Sequence, residues 1–161
     1  MFTQDELNVK LQEMRRLPAE TEWVEFKKAK NGFNETDLGE YFSALSNEAN
    51  LKKKSNGWLI LGVEDQPPHN VTGTNWHRGN RVSLDELKHK VAVGTGGHTF
   101  KEIYELPLPQ GRVLMFCIPP APAGIPIPWK GHYYGRDGES KVALSISKLE
   151  EIRGQASQFD W

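Results

Sequence analysis

The amino-acid sequence predicts an α+β fold: a single domain in which a mixed β-sheet is flanked by about four helices. Three observations support this prediction. The chain has 161 residues, a length that fits one compact domain. Apolar residues recur at helical spacing in separate segments, and strand-like runs lie between them. After a first helix the predicted order is β-α-β-α-β-β, a further short strand and a last helix, so strands and helices do not alternate regularly.

The first two elements are a helix and a strand. Thr3 and Glu6 have the spacing of a capping box, in which a hydroxyl and a carboxylate each bind a free backbone N–H at a helix start. The helical pattern stops at Pro18. Residues 22–27 (E-W-V-E-F-K) are rich in aromatic and β-branched residues, which predicts a strand.

The clearest helix follows, and after it the clearest strand. One apolar stripe runs along the second helix, which ends near Asn50. Its members are Leu38, Tyr41, Phe42, Leu45 and Ala49. Residues 51–56 (L-K-K-K-S-N) form a basic loop. The continuous apolar run 58–63 then predicts a central strand that is covered on both faces.

The second half of the chain predicts two more helices. Ser83 and Glu86 have capping-box spacing at the start of the third helix, and Ser147 and Glu150 have it at the start of the last. We therefore expect these helices to begin at the two serines.

Between those helices the sequence predicts strands and a stiff connection. Runs 100–106 and 112–118 predict a hairpin whose turn contains Pro109, Gln110 and Gly111. Residues 119–128 contain five prolines, so we expect an ordered polyproline-like crossover there. Residues 132–136 suggest one further short strand.

The overall charge and the single cysteine exclude several classes of protein. Lysine and arginine number 20 against 21 aspartates and glutamates, a formal net charge of -1, which excludes a uniformly basic coat and an acidic disordered tail. Cys117 is the only cysteine, so neither an intramolecular disulfide framework nor a CxxC zinc site can form. We expect a reducing, cytoplasmic location and no membrane partner.

Acidic residues collect around the predicted strand ends, where open α/β sheets place ligands. Glu20, Glu22 and Glu25 surround the first strand, and Glu64 and Asp65 follow the central one. Converging carboxylates hold Mg²⁺ or Mn²⁺, ions that activate water against a phosphodiester. The alternative is that these are ordinary solvated surface acids.

Basic and aromatic residues interleave in the predicted loops. Lysines and arginines neutralise phosphates, and exposed rings stack on unpaired bases. The candidate nucleic-acid contacts are Lys27, Lys28, Lys30, Lys52, Lys53, Lys54, Trp76, Tyr134, Arg136 and Lys141. The alternative is an ordinary charged surface, with the tryptophans packed over the core.

Several sequence blocks, in the right order, resemble the Schlafen-type AlbA domain, also called the divergent AAA domain. They are E-T-E-W-V-E-F-K at 20–27, A-L-S-N at 44–47, G-W-L-I-L-G-V-E-D at 57–65, V-T-G at 71–73 and Y-Y-G-R-D-G-E-S at 133–140. The resemblance spans roughly residues 5 to 153. The chain departs from the family pattern at residues 48–56, where a longer lysine-rich loop replaces a short glycine turn.

The resemblance implies a domain, a partner class and a candidate site. It assigns residues 1–153 to the domain and 154–161 to a tail that begins a linker to a missing C-terminal region. It implies nucleic acid as the partner and a fold with a mixed sheet. In vertebrate Schlafen proteins a Glu-Glu-Asp trio supports metal-dependent RNA cleavage, and by motif this trio falls on Glu20, Glu25 and Asp65. Relatives are described as ATP-dependent helicases, yet this chain has no Walker A motif.

Three hypotheses follow. The first is a nucleic-acid-binding module of a RecG-related helicase-like or transcription-regulatory bacterial protein, without ATPase activity of its own. The second is a Mg²⁺- or Mn²⁺-dependent endoribonuclease with Glu20, Glu25 and Asp65 as catalytic and metal-binding residues. The third is an interaction module whose contact patch contains Trp23, Trp129 and the proline-rich crossover. The expected partners are DNA or RNA and the C-terminal region of the longer chain, and a homodimer stays open.

Overall fold

A computed structural model describes residues 1–18 and 21–156. Within these residues the chain forms four α-helices and seven β-strands. The helices are α1 (Gln4–Arg15), α2 (Glu35–Leu51), α3 (Arg81–Thr95) and α4 (Ile146–Gly154). The strands are β1 (Val24–Lys27), β2 (Gly57–Leu61), β3 (Glu102–Leu108), β4 (Gly111–Ile118), β5 (Pro128–Trp129), β6 (His132–Asp137) and β7 (Ser140–Ala143).

The larger sheet is mixed, as the sequence predicts. Its four strands lie in the order β1-β2-β4-β3. Strand β1 runs parallel to β2, with Val24 opposite Trp58, whereas β4 is antiparallel to both of its neighbours. The predicted hairpin is β3–β4. A second, antiparallel sheet of order β5-β6-β7 was not predicted. Because β1 and β2 are parallel, the residues that follow them meet at one edge of the sheet.

Helices cover both faces of the larger sheet. The apolar side of α1 packs on one face, where Leu7 and Leu11 meet Trp58 and Ile60. The other face packs against α2, α3 and Trp129 of the small sheet. All five residues of β2 are buried, so the prediction of a central strand covered on both sides is confirmed. Side chains alternate along β1, which directs Glu25 away from the α1 face that holds Val24 and Phe26.

Hydrogen bonds from α2 hold the proline-rich crossover in place. The side-chain amide of Asn47 donates to the carbonyl oxygens of Ile127 and Tyr134, both at 2.9 Å, and its oxygen accepts the N–H of Ile127 at 2.8 Å. The N–H of Ala121 donates to the carbonyl oxygen of Ser46. The crossover therefore has bonding partners although prolines leave it few donors.

One predicted capping box is confirmed and two are wrong. Thr3 and Glu6 form the expected reciprocal pair at α1. Helix α3, however, starts after Asn80, whose side chain accepts the N–H of Ser83 at 3.0 Å. Helix α4 starts after Ser145 rather than at Ser147. In both cases a capping side chain two or three residues upstream takes the first free N–H groups, so the helix begins earlier.

The C-terminal part contains one confirmed and one missed strand. The short strand expected at 132–136 is β6, and its partner β7 was missed because it is short and mostly exposed. Residues 157–161, most of the predicted tail, lie outside the described residues. In the part of the chain that is described, no helix has the length and apolar character needed to cross a membrane.

Candidate functional site

The predicted lysines fall into two groups at opposite edges of the larger sheet. Lys27, Lys28 and Lys30 lie at the end of β1, whereas residues 52–54 precede the start of β2. Since the two strands are parallel, end and start lie at opposite edges. The four residues of β1 separate these edges by roughly 13 Å at about 3.3 Å per residue. The basic candidates therefore do not form one site.

Three exposed lysines lie together where β2 begins, and we call them the basic edge: Lys53, Lys54 and Lys101. Lys101 directly precedes β3, and its ammonium donates to the carbonyl oxygen of Ser55 at 3.2 Å. The ammonium of Lys54 lies 5.0 Å from the ring centroid of Trp23. Within the described residues none of the three lysines forms an ion pair. Their charge is thus available to an anionic partner.

Lys52, in the same loop, is already paired. Its ammonium lies 3.0 Å from a carboxylate oxygen of Glu22. Burial acts to raise the pKa of Glu22, but the bonds from Lys52 and from the N–H of Gly138, with the nearby charge of Lys148, lower it overall. The hydrogen bond to Glu22 raises the pKa of Lys52. Lys52 therefore contributes less free positive charge than its three neighbours.

At the opposite edge, the side chains are more mixed in charge. Lys28 and Lys30 are exposed and, within the described residues, form no ion pair. Lys27 is half-buried, with its ammonium 5.7 Å from the ring centroid of Tyr41. Lys141 lies over the same ring at 4.5 Å, and its ammonium is 2.6 Å from Glu40. Lys141 is thus neutralised within the protein.

A cleft of about 270 Å³ runs along the free side of β1, and we call it the acidic cleft. It is also bordered by the end of α1 and by the turn between β6 and β7. The charged side chains that line it are Glu25, Asp65, Glu139, Lys27 and Arg136. Among the described residues, three carboxylates face two cations, an excess of one negative charge. It brings together Glu25 and Asp65, as the strand-end argument predicts.

A buried ion pair forms one wall of this cleft. The guanidinium of Arg136, 2% exposed, lies 3.1 Å from Glu25, which is 8% exposed. The other oxygen of Glu25 accepts the N–H of Phe26 at 3.0 Å. Burial raises the pKa of Glu25, the charges of Arg136 and Lys27 oppose this rise, and the charge of Asp65 adds to it. Both carboxylate oxygens of Glu25 are therefore engaged within the protein.

Glu20 lies outside the described residues, so the position of the predicted Glu-Glu-Asp trio stays a prediction. Among residues 1–18 and 21–156, no group of three or more histidine, cysteine, aspartate or glutamate side chains is arranged to hold a metal ion. Of the two described members of the trio, Asp65 is exposed, whereas Glu25 would bind a metal only after releasing Arg136.

The predicted stacking residues are partly buried and pack against other side chains. Trp76 contacts Phe33 and Phe116, with ring centroids 6.0 and 6.4 Å away. The hydroxyl of Tyr134 donates to Glu40 at 3.0 Å, and burial, followed by this bond, raises the pKa of Tyr134. Trp129, expected in a contact patch, is 6% exposed and belongs to the core.

Lys101 is the residue that the sequence argument missed. It is far from residues 52–54 in the chain, and only the pairing of Trp58 with Cys117 and of Cys117 with Glu102 brings it beside them. The available signal was a lysine near the start of the predicted strand 100–106, but the register was needed to place that strand.

Comparisons with known proteins identify relatives. The family model described as Schlafen, AlbA_2 matches residues 20–145. The DIP2311 protein from Corynebacterium diphtheriae shares the fold with a TM-score of 0.61 and 17% identity over 94% of this chain, which spans only 29% of that protein. The N-terminal domain of a RecG-related protein from Nitrosomonas europaea, solved by NMR, has a TM-score of 0.53 and 19% identity, with 91% of this chain and 94% of that domain covered. No curated protein sequence matches.

Proposed function

This chain belongs to the Schlafen AlbA_2 family, and on that premise we propose that it is a nucleic-acid-binding module that contacts phosphates through the basic edge. The observation that carries the proposal is the group of three exposed lysines, Lys53, Lys54 and Lys101, without ion pairs in the described part of the chain. The longer protein that contains such a module would be a RecG-related helicase-like or regulatory protein. The module itself supplies binding and no ATP hydrolysis.

The chemistry of the basic side chains supports phosphate contacts. Lysine ammonium groups act as mobile point charges toward phosphate oxygens. The guanidinium groups of Arg81, Arg112 and Arg136, by contrast, bind carboxylates within the protein. The basic edge therefore offers lysine ammonium groups to a phosphate, whereas these three arginines bind carboxylates that belong to the protein.

The test is a titration of fluorescently labelled duplex DNA, single-stranded DNA and RNA at several salt concentrations. Three phosphate contacts on duplex DNA should give a slope of log K against log salt of about -2.7, since each contributes about -0.9. The triple variant Lys53→Gln, Lys54→Gln, Lys101→Gln should bring this slope close to zero.

A matched control has the same change in charge elsewhere. The triple variant Lys28→Gln, Lys30→Gln, Lys130→Gln also removes three exposed, unpaired lysines and should keep most of the slope. If this control lost as much affinity as the first variant, the phosphate contacts would not be confined to the basic edge. No binding to any of the polymers at low salt would contradict the proposal.

A second candidate function is metal-dependent RNA cleavage in the acidic cleft. It is favoured by the shared position of Glu25 and Asp65 and by the excess negative charge there. Mg²⁺ or Mn²⁺ bound by carboxylates would activate water for attack on phosphorus. Because Arg136 occupies one oxygen of Glu25, the ion would rest first on Asp65 and on Glu20, if Glu20 reaches the cleft.

Incubation of tRNA with the protein and Mn²⁺ tests this second function. Asp65→Ala should lower the cleavage rate by orders of magnitude while leaving the unfolding midpoint nearly unchanged, because Asp65 is exposed. Cleavage of equal rate in wild type and variant would indicate a contaminating nuclease. A fully folded protein without Mn²⁺-dependent cleavage would exclude the function for this substrate.

A further inference from the structure

A cavity of about 520 Å³ lies between the N-terminal end of α2 and the C-terminal half of α3. It shares no lining residue with the acidic cleft and contains none of the basic-edge lysines. Its volume is in the usual range for pockets that hold small organic ligands. The inner wall is apolar and buried, formed by Leu38, Leu87, Val91 and Trp129.

The aromatic part of this wall is fixed in position. Gly39 of α2 and Gly94 of α3 both pack against the indole of Trp129, and a Cβ atom at either position would overlap the ring. The N–H of Lys130 donates to the carbonyl oxygen of Gly94 at 2.7 Å, which ties β5 to α3. The small part of Trp129 that a ligand can reach is therefore pre-formed, and binding would lose little free energy to ordering of the protein.

The mouth of the cavity carries one uncompensated positive charge. Glu35 and Lys90 lie there but neutralise each other, with 2.6 Å between ammonium and carboxylate. Lys130 is exposed and, within the described residues, has no ion pair. Its ammonium is 5.3 Å from the ring centroid of Trp129, so the free cation is next to the aromatic wall.

From this juxtaposition we propose that the cavity is a binding site for a small aromatic carboxylate. The ring enters the cavity and contacts the small exposed part of Trp129, 6% of that residue. The carboxylate accepts a hydrogen bond from the ammonium of Lys130. A cationic ligand is repelled by Lys130, and a neutral ring gains only apolar burial. A single negative charge matches the charge of Lys130.

The test uses phenylacetate and its neutral analogue phenylacetamide, titrated to about 10 mM into the ¹⁵N-labelled full chain. Ligands of this size bind with dissociation constants of roughly millimolar order. The backbone signals of Gly94 and Lys130 should shift, and phenylacetate should bind about tenfold more tightly, since a charge-assisted hydrogen bond distinguishes it. No shift of these signals with either compound, or equal affinity for both, would overturn the proposal.

Two variants test whether Lys130 causes the preference for phenylacetate over phenylacetamide. Lys130→Gln should make phenylacetate and phenylacetamide bind equally, while the shifts still map to the same cavity. Lys28→Gln removes an exposed lysine at another surface and should preserve the tenfold preference. A preference that survives Lys130→Gln would overturn the assignment of the carboxylate to Lys130. Because nucleic acid plays no part in these measurements, their outcome is independent of the proposed function.

Discussion

The ion pair between Glu25 and Arg136 connects the first and the last of the sequence segments that match the family pattern. Glu25 lies in E-W-V-E-F-K of β1 and Arg136 in Y-Y-G-R-D-G-E-S of β6. A second buried carboxylate, Glu48, accepts the backbone N–H of Arg136 at 2.9 Å and the ammonium of Lys148 at 2.7 Å. Glu25 and Arg136 therefore hold β6 of the small sheet against β1 of the larger one, and Glu48 ties β6 to α2.

Removing one partner of this pair should destabilise the fold in a pH-dependent way. Arg136→Gln leaves the Glu25 carboxylate buried without its counter-charge, a change that costs about 3–5 kcal/mol. Without Arg136 the folded-state pKa of Glu25 rises further above its ordinary value of 4.5. Stability tied to a raised carboxyl pKa is present below the unfolded-state pKa and is lost as pH rises through the folded-state pKa. The difference between wild type and variant, measured by urea unfolding at about pH 4.5 and about pH 8, should therefore be larger at the higher pH.

The double variant Glu25→Gln, Arg136→Gln is the control for this prediction. It removes the carboxylate that titrates, so its urea midpoint should lose the added pH dependence and exceed that of Arg136→Gln at about pH 8. Equal destabilisation by Arg136→Gln at both pH values would show that the loss comes from packing rather than from the unpaired charge.

At the scale of elements, apolar spacing predicted helices and strands well, while hydrogen bonding by single side chains set where they start. The stripe that includes Leu38, Tyr41 and Leu45 defined α2, and the apolar run after Gly57 defined β2. The starts of α3 and α4 were wrong, because Asn80 and Ser145 cap them. Several polar residues near a helix start fit a cap by spacing alone, and only the backbone conformation selects one.

The cap of α3 gives a test of this distinction. Asn80→Ala should lower the free energy of unfolding by about 1 kcal/mol, since it removes the acceptor of the Ser83 N–H. Glu86→Gln, the partner in the predicted box, should change it by less than about 0.5 kcal/mol. Urea unfolding of the two variants against wild type measures both values. A larger loss for Glu86→Gln would restore the predicted helix start.

At the scale of the whole molecule, the net charge of -1 conceals a separation of charge. Three uncompensated lysines lie together at the edge where β2 begins. At the opposite edge the unpaired Lys28 and Lys30 lie near a cleft whose described side chains carry an excess of one carboxylate. The sequence predicted Lys53 and Lys54 of the basic edge, and the meeting of Glu25 with Asp65. It could not predict that residues 52–54 and 27–30 lie at opposite edges, because this depends on the parallel pairing of β1 with β2. The position of Lys101 at the basic edge depends on the register of β3 with β4, which the sequence does not reveal.

Because the two edges are separated, the effect of Asp65 on binding at the basic edge should depend on the salt concentration. Interactions between exposed charges decay over a Debye length of about 8 Å at 0.15 M salt and about 30 Å at 0.01 M. The two edges are roughly 13 Å apart. Asp65→Ala should therefore leave the dissociation constant for labelled duplex DNA unchanged within about twofold at 0.15 M salt. At 0.01 M it should tighten binding, because a negative charge has been removed.

Combining Asp65→Ala with the triple variant Lys53→Gln, Lys54→Gln, Lys101→Gln extends the same argument. Sites this far apart that share no partner should change the binding free energy additively, within about 0.5 kcal/mol. Fluorescence anisotropy of all four proteins at 0.15 M salt measures the coupling. If Asp65→Ala instead weakened binding as much as the triple variant, the nucleic acid would contact both edges at once, and its path would cross the free side of β1 between them.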